Sequence, residues 1–226
     1  MRLAVLSDIH NRYHIFEKVL SLISNKVSPD IWIYPGDIGD SINVFCRLVQ
    51  KCKGTHVLIY GNHDPKAIKY INRRPKIWLL KFGERVKIKH LWFLGLPGNL
   101  GNGSRWYHWK AYELRDVIKK YRKKKIDIVV SHECPLGVAD IKNEKHLGKE
   151  ILRQLIVDLS PRIFICGHIH AGVQVGYINK TIVINAGAIS YLDLSPPDYV
   201  IINLNDNIEV RGYSMHDAYG DNKNEL

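Results

Sequence analysis

Five apolar runs in this chain end in the same kind of chemistry. Leu3–Leu6 leads into Ser7-Asp8-Ile9-His10, Ile31–Tyr34 into Gly36-Asp37, and Val57–Tyr60 into Gly61-Asn62-His63-Asp64. Further on, Ile126–Val130 leads into Ser131-His132, and Arg162–Cys166 into Gly167-His168-Ile169-His170. Short runs rich in Val and Ile read as buried strands, and helical periodicity lies near 15–24, 41–52 and 148–159. This alternation predicts an α/β fold. The final third, with V-Q-V-G-Y, T-I-V-I-N and D-Y-V-I-I-N between turn residues, predicts antiparallel strands. In open α/β sheets ligands bind outside the carboxyl ends of the strands, where loops converge on a rigid core. Five polar strand ends therefore predict one site.

Composition narrows the setting. Of 226 residues, 46% are hydrophobic and 24% charged, which is the balance of a folded globular domain rather than a disordered chain. With no internal repeat or low-complexity linker, the expectation is one domain over 1–226, with 214–226 a loose polar end. The first residues reach Asp8 too soon to form a signal peptide, and no apolar run approaches the roughly 18 residues of a membrane span. A cytoplasmic protein with no membrane partner is expected. Cys46, Cys52, Cys134 and Cys166 form no C-x-x-C pair, so reduced thiols are expected. The net charge of +11 draws in phosphates, nucleic acids or acidic metabolites without choosing among them.

The recurring groups are Asp, His and Asn, with no cysteine among them. Carboxylate oxygen combined with imidazole nitrogen favours Mn, Fe, Co, Ni or Zn over a purely oxygen-lined Ca site. Asp8, His10, Asp37, Asn62, His132, His168 and His170 are too many for one tetrahedral ion with an open position. Two divalent ions sharing a carboxylate use them well. Two such ions against two carboxylates leave an electropositive centre, suited to polarising a phosphoryl group and supplying a nucleophile near neutral pH. His63 is then left to meet the substrate as proton donor or charge stabiliser, with Asp64 holding its imidazole in the useful tautomer. The Gly-rich stretch at 98–103 lacks G-K-[ST] and is no P-loop.

Taken in order, Asp8-x-His10, Gly36-Asp37-x-x-Asp40, Gly61-Asn62-His63-Asp64, His132 and Gly167-His168-x-His170 resemble the five-block signature of the calcineurin-like metallophosphoesterase superfamily. The stretch S-H-E-C-P-L-G further resembles small archaeal and bacterial members. The resemblance implies a four-layer sandwich, two mixed β-sheets flanked by helices. It implies one metal on Asp8, His10, Asp37 and His170 and another on Asp37, Asn62, His132 and His168, with Asp37 bridging. It also implies hydrolysis of phosphomonoesters, phosphodiesters or nucleic acids by direct attack of metal-bound water. Asn11 stands where many relatives have glycine, and Cys134-Pro135 replaces Pro-Pro; both reshape substrate access. Ser41 after Asp40 departs from the D-R-G of protein Ser/Thr phosphatases, which disfavours phosphoprotein substrates.

The remaining candidates have two readings each. The loop at 96–110, crowded with Arg105, Trp106, Tyr107, His108 and Trp109, is either a surface loop pinned by aromatic packing or a wall beside the metals. Candidate substrate contacts are Asn11, Arg105, His108 and His146. Asp40 reads as a cap of the following helix. The run K-K-Y-R-K-K-K at 119–125 reads as a solvated helix end rather than a nucleic-acid patch, since it precedes the strand at 126 and faces away from the carboxyl ends. The expected function is a dinuclear, metal-dependent phosphoesterase for small phosphomono- or phosphodiesters, with manganese favoured. A nuclease is the alternative, and a non-catalytic scaffold of the same fold comes last. Nothing in the sequence sets the oligomeric state.

Overall fold

The structure, a computed structural model, describes residues 1–73, 75–189, 197–205 and 207–214; the polar end predicted at 214–226 therefore lies, beyond Ser214, outside the described residues. The first half alternates β1 (Arg2–Val5), α1 (Tyr13–Lys26), β2 (Ile31–Tyr34), α2 (Ile42–Val49), β3 (Thr55–Leu58), a 3₁₀ helix (Lys66–Arg73) and β4 (Ile77–Leu79). A second series follows: β5 (Glu84–Ile88), β6 (Leu91–Leu96), β7 (Asn99–Leu100), β8 (His108–Trp109), α3 (Ala111–Tyr121), β9 (Ile128–Ser131), β10 (Ile141–Lys142), β11 (Lys145–His146) and α4 (Glu150–Leu159). The described chain closes with β12 (Ile163–Cys166), β13 (Gln174–Ile178), β14 (Thr181–Asn185), β15 (Asp198–Leu204) and β16 (Ile208–Ser214).

Two six-stranded mixed sheets result, in the orders β16-β15-β1-β2-β3-β4 and β13-β14-β12-β9-β6-β5. β1 to β4 run parallel in the first sheet, as do β6, β9, β12 and β14 in the second. The T-I-V-I-N segment corrects the sequence reading in part: it is antiparallel to β13 but parallel to β12, Ile163 pairing with Ile182. A run of apolar residues buried on both faces carries no alternation to reveal the direction of its partner.

Side-chain alternation along the strands sorts the core into layers. Leu3, Val5, Ile31, Ile33 and Val57 pack between the sheets against Ile128, Val130, Ile163 and Ile165. Trp32, Tyr34 and Leu58 turn outward under α1 and α2, and Leu94, Val129 and Phe164 turn outward under α3 and α4. The helices answer with one stripe each: Phe16, Val19, Leu20 and Ile23 on α1, Leu114, Val117, Ile118 and Tyr121 on α3, and Leu152, Leu155, Ile156 and Leu159 on α4. The i, i+3, i+4, i+7 spacing places each set on one face. The architecture is thus the four-layer sandwich, helices outside and two sheets within. At roughly 1.5–3 kcal/mol per fully buried Leu, Ile or Phe, the three layers of apolar packing hold the strand ends in fixed register. Within the outer layer His56 lies buried between parallel Trp32 and Tyr34 rings, its Nδ1 3.0 Å from Tyr34 Oη. None of the four cysteines is in a disulfide.

Candidate metal centre

All five turns that follow the apolar runs meet at one edge of the two sheets, and the backbone ties them together. Asp8 N donates to Gly36 O (3.2 Å), His10 N to Asp37 O (3.0 Å) and Gly167 N to His132 O (3.1 Å). The chain leaves the strands abruptly: Asp8, His10, Asp37 and His168 hold φ values of 53°, 44°, 52° and 67°. Left-handed conformations in L-residues other than glycine cost on the order of 1–2 kcal/mol each and concentrate where function demands them. Glycines allow the close approach. A Cβ on Gly167 would collide with Ser7 Oγ and Asp8 Oδ2, and one on Gly61 with Asp37 Oδ1.

Two groups of ligand atoms result. In the first, Asp8, His10 and His170 converge, with His170 Nε2 2.9 Å from Asp8 Oδ1 and 3.3 Å from His10 Nε2. The other oxygen of Asp8 is occupied: Oδ2 accepts from Ser7 Oγ (2.6 Å) and His168 N (2.9 Å), which leaves Oδ1 to face the histidines. In the second, Asp37, His132 and His168 converge, and Asn62 Oδ1 joins them 3.0 Å from His132 Nε2.

Asp37 stands between the groups. Its Oδ1 accepts from His63 N at 2.8 Å, whereas Oδ2 is buried without a hydrogen-bond partner. That oxygen lies 3.7 Å from His10 Nε2 and 3.5 Å from His132 Nε2. A buried carboxylate oxygen without a donor is costly, and a cation on either side satisfies it. His132 strengthens the fit. Its Nδ1 contacts the carbonyl of Pro35, which can only accept, so Nδ1 carries a proton and the Nε2 of a neutral ring presents a lone pair to two oxygens. Once His132 gives up its Nε2 proton, the convergent nitrogens and oxygens present lone pairs, as a divalent ion requires. The residues present therefore fit two ions.

Protonation behaviour carries the same imprint. Burial lowers the His132 imidazole, but the Asp37 and Asp8 carboxylates and the Pro35 carbonyl outweigh it and push it up to about 10. His168, under the same burial and next to His132, is pushed down to about 4. One pocket thus attracts a positive charge at one place and refuses a second proton beside it.

Asp64 and His63 separate in space. Asp64 is buried, and its carboxylate accepts from the backbone N–H groups of Gly61 (2.8 Å), Asp37 (2.9 Å) and Gly39 (3.0 Å). Burial and the Asp37 charge raise it to about 7 against those three donors. It braces the turns that carry Asp37 and Asn62. His63 is exposed, its ring edge-on to His10 at 5.3 Å, over the first ligand group.

The outer candidates have partners of their own. Asn11 clasps Asp40, donating from Nδ2 to Oδ2 (2.9 Å) and accepting at Oδ1 from the Asp40 N–H (2.7 Å). Asp40 is therefore no helix cap: Ser41 occupies the N-cap of α2 without a side-chain bond, and its N–H donates to Tyr13 Oη. His146 Nδ1 lies 2.7 Å from the buried Asp140 carboxylate. His108 packs where a Cβ on Gly101 would fall. Arg105 Nη1 donates to Tyr107 Oη at 2.6 Å on a loop stitched at its base to the site, through His132 N to Leu96 O (3.2 Å) and Gly98 N to Tyr60 O (2.7 Å). Sequence reasoning did not find the stack beside that loop, in which Trp106 lies 4.9 Å from Tyr60 and Lys69 Nζ 5.0 Å over Trp106. Nor did it find Pro35 and Ser7, whose roles belong to a backbone carbonyl and to a hydroxyl with no spacing signal.

Comparison with known proteins agrees with this geometry. No curated protein matches the sequence. Among solved structures, TT1561 of Thermus thermophilus superposes with a TM-score of 0.72 at 14% identity, covering 92% of this chain and 97% of that one. A dimetal phosphatase from Danio rerio gives 0.69 at 9% identity over 95% and 96%, and a novel archaeal phosphodiesterase 0.61 at 17% over 95% and 99%. These likenesses concern the fold. The family described as calcineurin-like phosphoesterase matches residues 1–172, a stretch that contains every ligand described above. The chain belongs to the calcineurin-like phosphoesterase family, and with it to the metal-dependent phosphoester hydrolases.

Proposed function

We propose that this protein hydrolyses small phosphomono- or phosphodiesters at a pair of divalent ions, one held by Asp8, His10, Asp37 and His170 and the other by Asp37, Asn62, His132 and His168. The observation that carries this reading is Asp37 Oδ2, buried without a partner between the two ligand groups. Bound there, the ions supply Lewis acidity for phosphoryl oxygens and a nucleophile near neutral pH, with manganese the favoured species for activity.

The chain's own residues supply the rest. Asp64 holds the Asp37 and Asn62 turns against each other, so the ligands keep their geometry when the site changes charge. His63, exposed beside His10, is placed to give a proton to the departing alcohol or to stabilise charge on the phosphoryl group. Neutral Asn62, where a carboxylate would offset positive charge, preserves the centre's attraction for phosphate. The organic part of the substrate is assigned to the loop at 96–110, where exposed Arg105 stands beside Tyr107 and Trp106. Asn11 acts indirectly, by fixing Asp40 after the Asp37 turn.

The deciding experiment is metal-loaded protein tested on aryl phosphomonoesters, aryl phosphodiesters, cyclic nucleotides and single-stranded DNA. Turnover of the small esters, abolished by chelation and restored best by manganese, is expected. Turnover of DNA alone would replace this reading with a nuclease.

A further inference from the structure

The end of the molecule opposite the ligands carries a regular array of cations. In the first sheet the parallel strands are entered through Arg2 at β1, Lys53 before β3 and Lys76 before β4. In the second they are entered through Lys89 before β6, Lys125 before β9, Arg162 before β12 and Lys180 before β14. Each lies within three residues of its strand's start, and every one is exposed. β2 is entered through an acid, Asp30, whose carboxylate is already occupied by Lys89 Nζ and the Arg2 N–H. Asp127, directly before β9, is buried and paired with the exposed Lys125, and Asp158 at the end of α4 is held by Arg122, while Glu209, registered through Asn203 with Arg2, is exposed. Among the described residues Lys53, Lys76, Arg162 and Lys180 have no carboxylate within ion-pair distance.

Helix dipoles account for only part of this array, since Lys53, Lys125 and Arg162 alone follow the C-termini of α2, α3 and α4. A cation is favoured at a helix C-terminus, yet Lys89 and Lys180 sit in β-hairpin turns, and Lys76 follows a 3₁₀ helix. The basic end of α3, which its sequence alone reads as a solvated helix end, extends the array: Lys123 and Lys124 are exposed, and Arg85 pins that segment to the sheet by donating from Nε to Lys125 O (2.9 Å) while stacking 3.6 Å over Trp92.

Strand geometry sets the spacing. Neighbouring strands lie roughly 4.8 Å apart and facing sheets roughly 10 Å apart, so the cations form two rows separated by about a sheet spacing. Phosphates of a duplex run in two lines flanking a groove of about 12 Å or 6 Å, with a rise of about 3.4 Å per residue in each strand. A single acidic polypeptide presents one line of charge and a lipid surface no fixed lines, whereas a duplex presents the two lines that two rows of cations match. We propose that this face binds the phosphate backbone of double-stranded nucleic acid as a docking surface, without reading its sequence. Strands of four to six residues place it a strand's length, roughly 13–20 Å, from the ligands. The reaction site remains uncovered, and nucleic acid becomes a platform rather than a substrate. This inference does not rest on the proposed substrate class.

The test uses the full, metal-loaded chain and a fluorescent duplex of about 20 base pairs, with affinity measured by anisotropy at several salt concentrations. If about five phosphates are engaged, log Kd should vary with log salt with a slope near 4.5, about 0.9 per phosphate. The variant K53Q/K76Q/R162Q/K180Q should lose more than tenfold in affinity at low salt and reduce that slope by about 3–4. A second variant, K18Q/R47Q/R115Q/K145Q, removes the same charge from exposed positions elsewhere and should change affinity less than threefold. Both should keep two ions per chain and wild-type turnover of a small phosphodiester within about twofold. Equal weakening by the two variants would reduce the effect to diffuse net charge and overturn the proposal. So would failure of the duplex to bind, or equal affinity for poly-glutamate or phosphatidylserine vesicles at matched charge.

Discussion

His132 Nδ1 and the Pro35 carbonyl oxygen stand 2.8 Å apart across 97 residues of sequence. The carbonyl holds a proton on Nδ1, so the proton that His132 releases to an arriving ion is the one on Nε2, which faces Asp37 and Asn62. A main-chain atom at the end of one strand thus sets the electronic state of a ligand at the end of another, in the other sheet. A ring with a fixed tautomer needs no reorientation when an ion arrives, and gives up only its Nε2 proton.

Metal content follows directly. The purified protein should saturate at two divalent ions per chain, and Asp37→Ala, which removes the carboxylate common to both groups, should weaken both sites. Elemental analysis and calorimetric titration measure this. Saturation at one ion with full activity would defeat the two-ion assignment.

His63→Ala should lower kcat by roughly 10²-fold or more on esters with poor leaving groups, the usual contribution of a positioned acid or base. Metal content should be unchanged, because no ligand is removed. The loss should shrink on aryl esters, whose leaving groups need little protonation. Wild-type turnover of an alkyl ester would refute the proton-donor role.

Asp64→Asn should behave differently from His63→Ala. The amide's NH₂ would meet N–H donors that the carboxylate now accepts, leaving at least one buried donor unsatisfied at roughly 1–3 kcal/mol. Expected outcomes are a lower unfolding midpoint and weaker metal binding, with near-normal turnover once saturated with metal. A purely kinetic defect in a fully stable variant would show that Asp64 acts on His63 rather than on the turns.

His56 should make the protein acid-sensitive. Burial lowers its imidazole from the ordinary 6.5 to about 4, so the folded chain keeps it neutral where the unfolded chain takes a proton. Its contribution is complete above about pH 6.5 and is lost as pH falls towards 4. Between pH 7 and 4.5 that amounts to about 2–3 kcal/mol. Urea unfolding of metal-free protein at both pH values should show a smaller pH effect in His56→Phe than in wild type, by about that amount. An identical pH effect in both would remove His56 from the account.

The layering and the convergence of the ligands were legible in the sequence because both follow from local patterns. A buried strand announces itself by a Val- and Ile-rich run, and the residue where it ends is where the polar groups start, so Asp8, Asp37, His132 and His168 could be placed at strand ends from spacing alone. What could not be read depends on contacts between distant segments. Asp64 was expected to orient His63 because the two are neighbours in sequence, yet its oxygens go to Gly61, Asp37 and Gly39. Asp40 reads as a cap by position, but Asn11, 29 residues away, holds it instead. The direction of β14 and the existence of the two-residue pairs β7–β8 and β10–β11 rest on partners that no local pattern specifies.

The four left-handed residues at the strand ends set a limit on how stable this protein can become without losing its chemistry. Asp8, His10, Asp37 and His168 each occupy a conformation that glycine adopts freely. Directed evolution for heat resistance in a chelating medium would therefore be drawn to His10 and His168 first, where glycine relieves on the order of 1 kcal/mol of strain, whereas at Asp8 and Asp37 it would also strand the N–H groups of His168 and His63. The most thermostable clones from such a selection would be metal-blind. Retaining activity requires the ions themselves to repay the strain, so selection for this enzyme has to be run with the metal present.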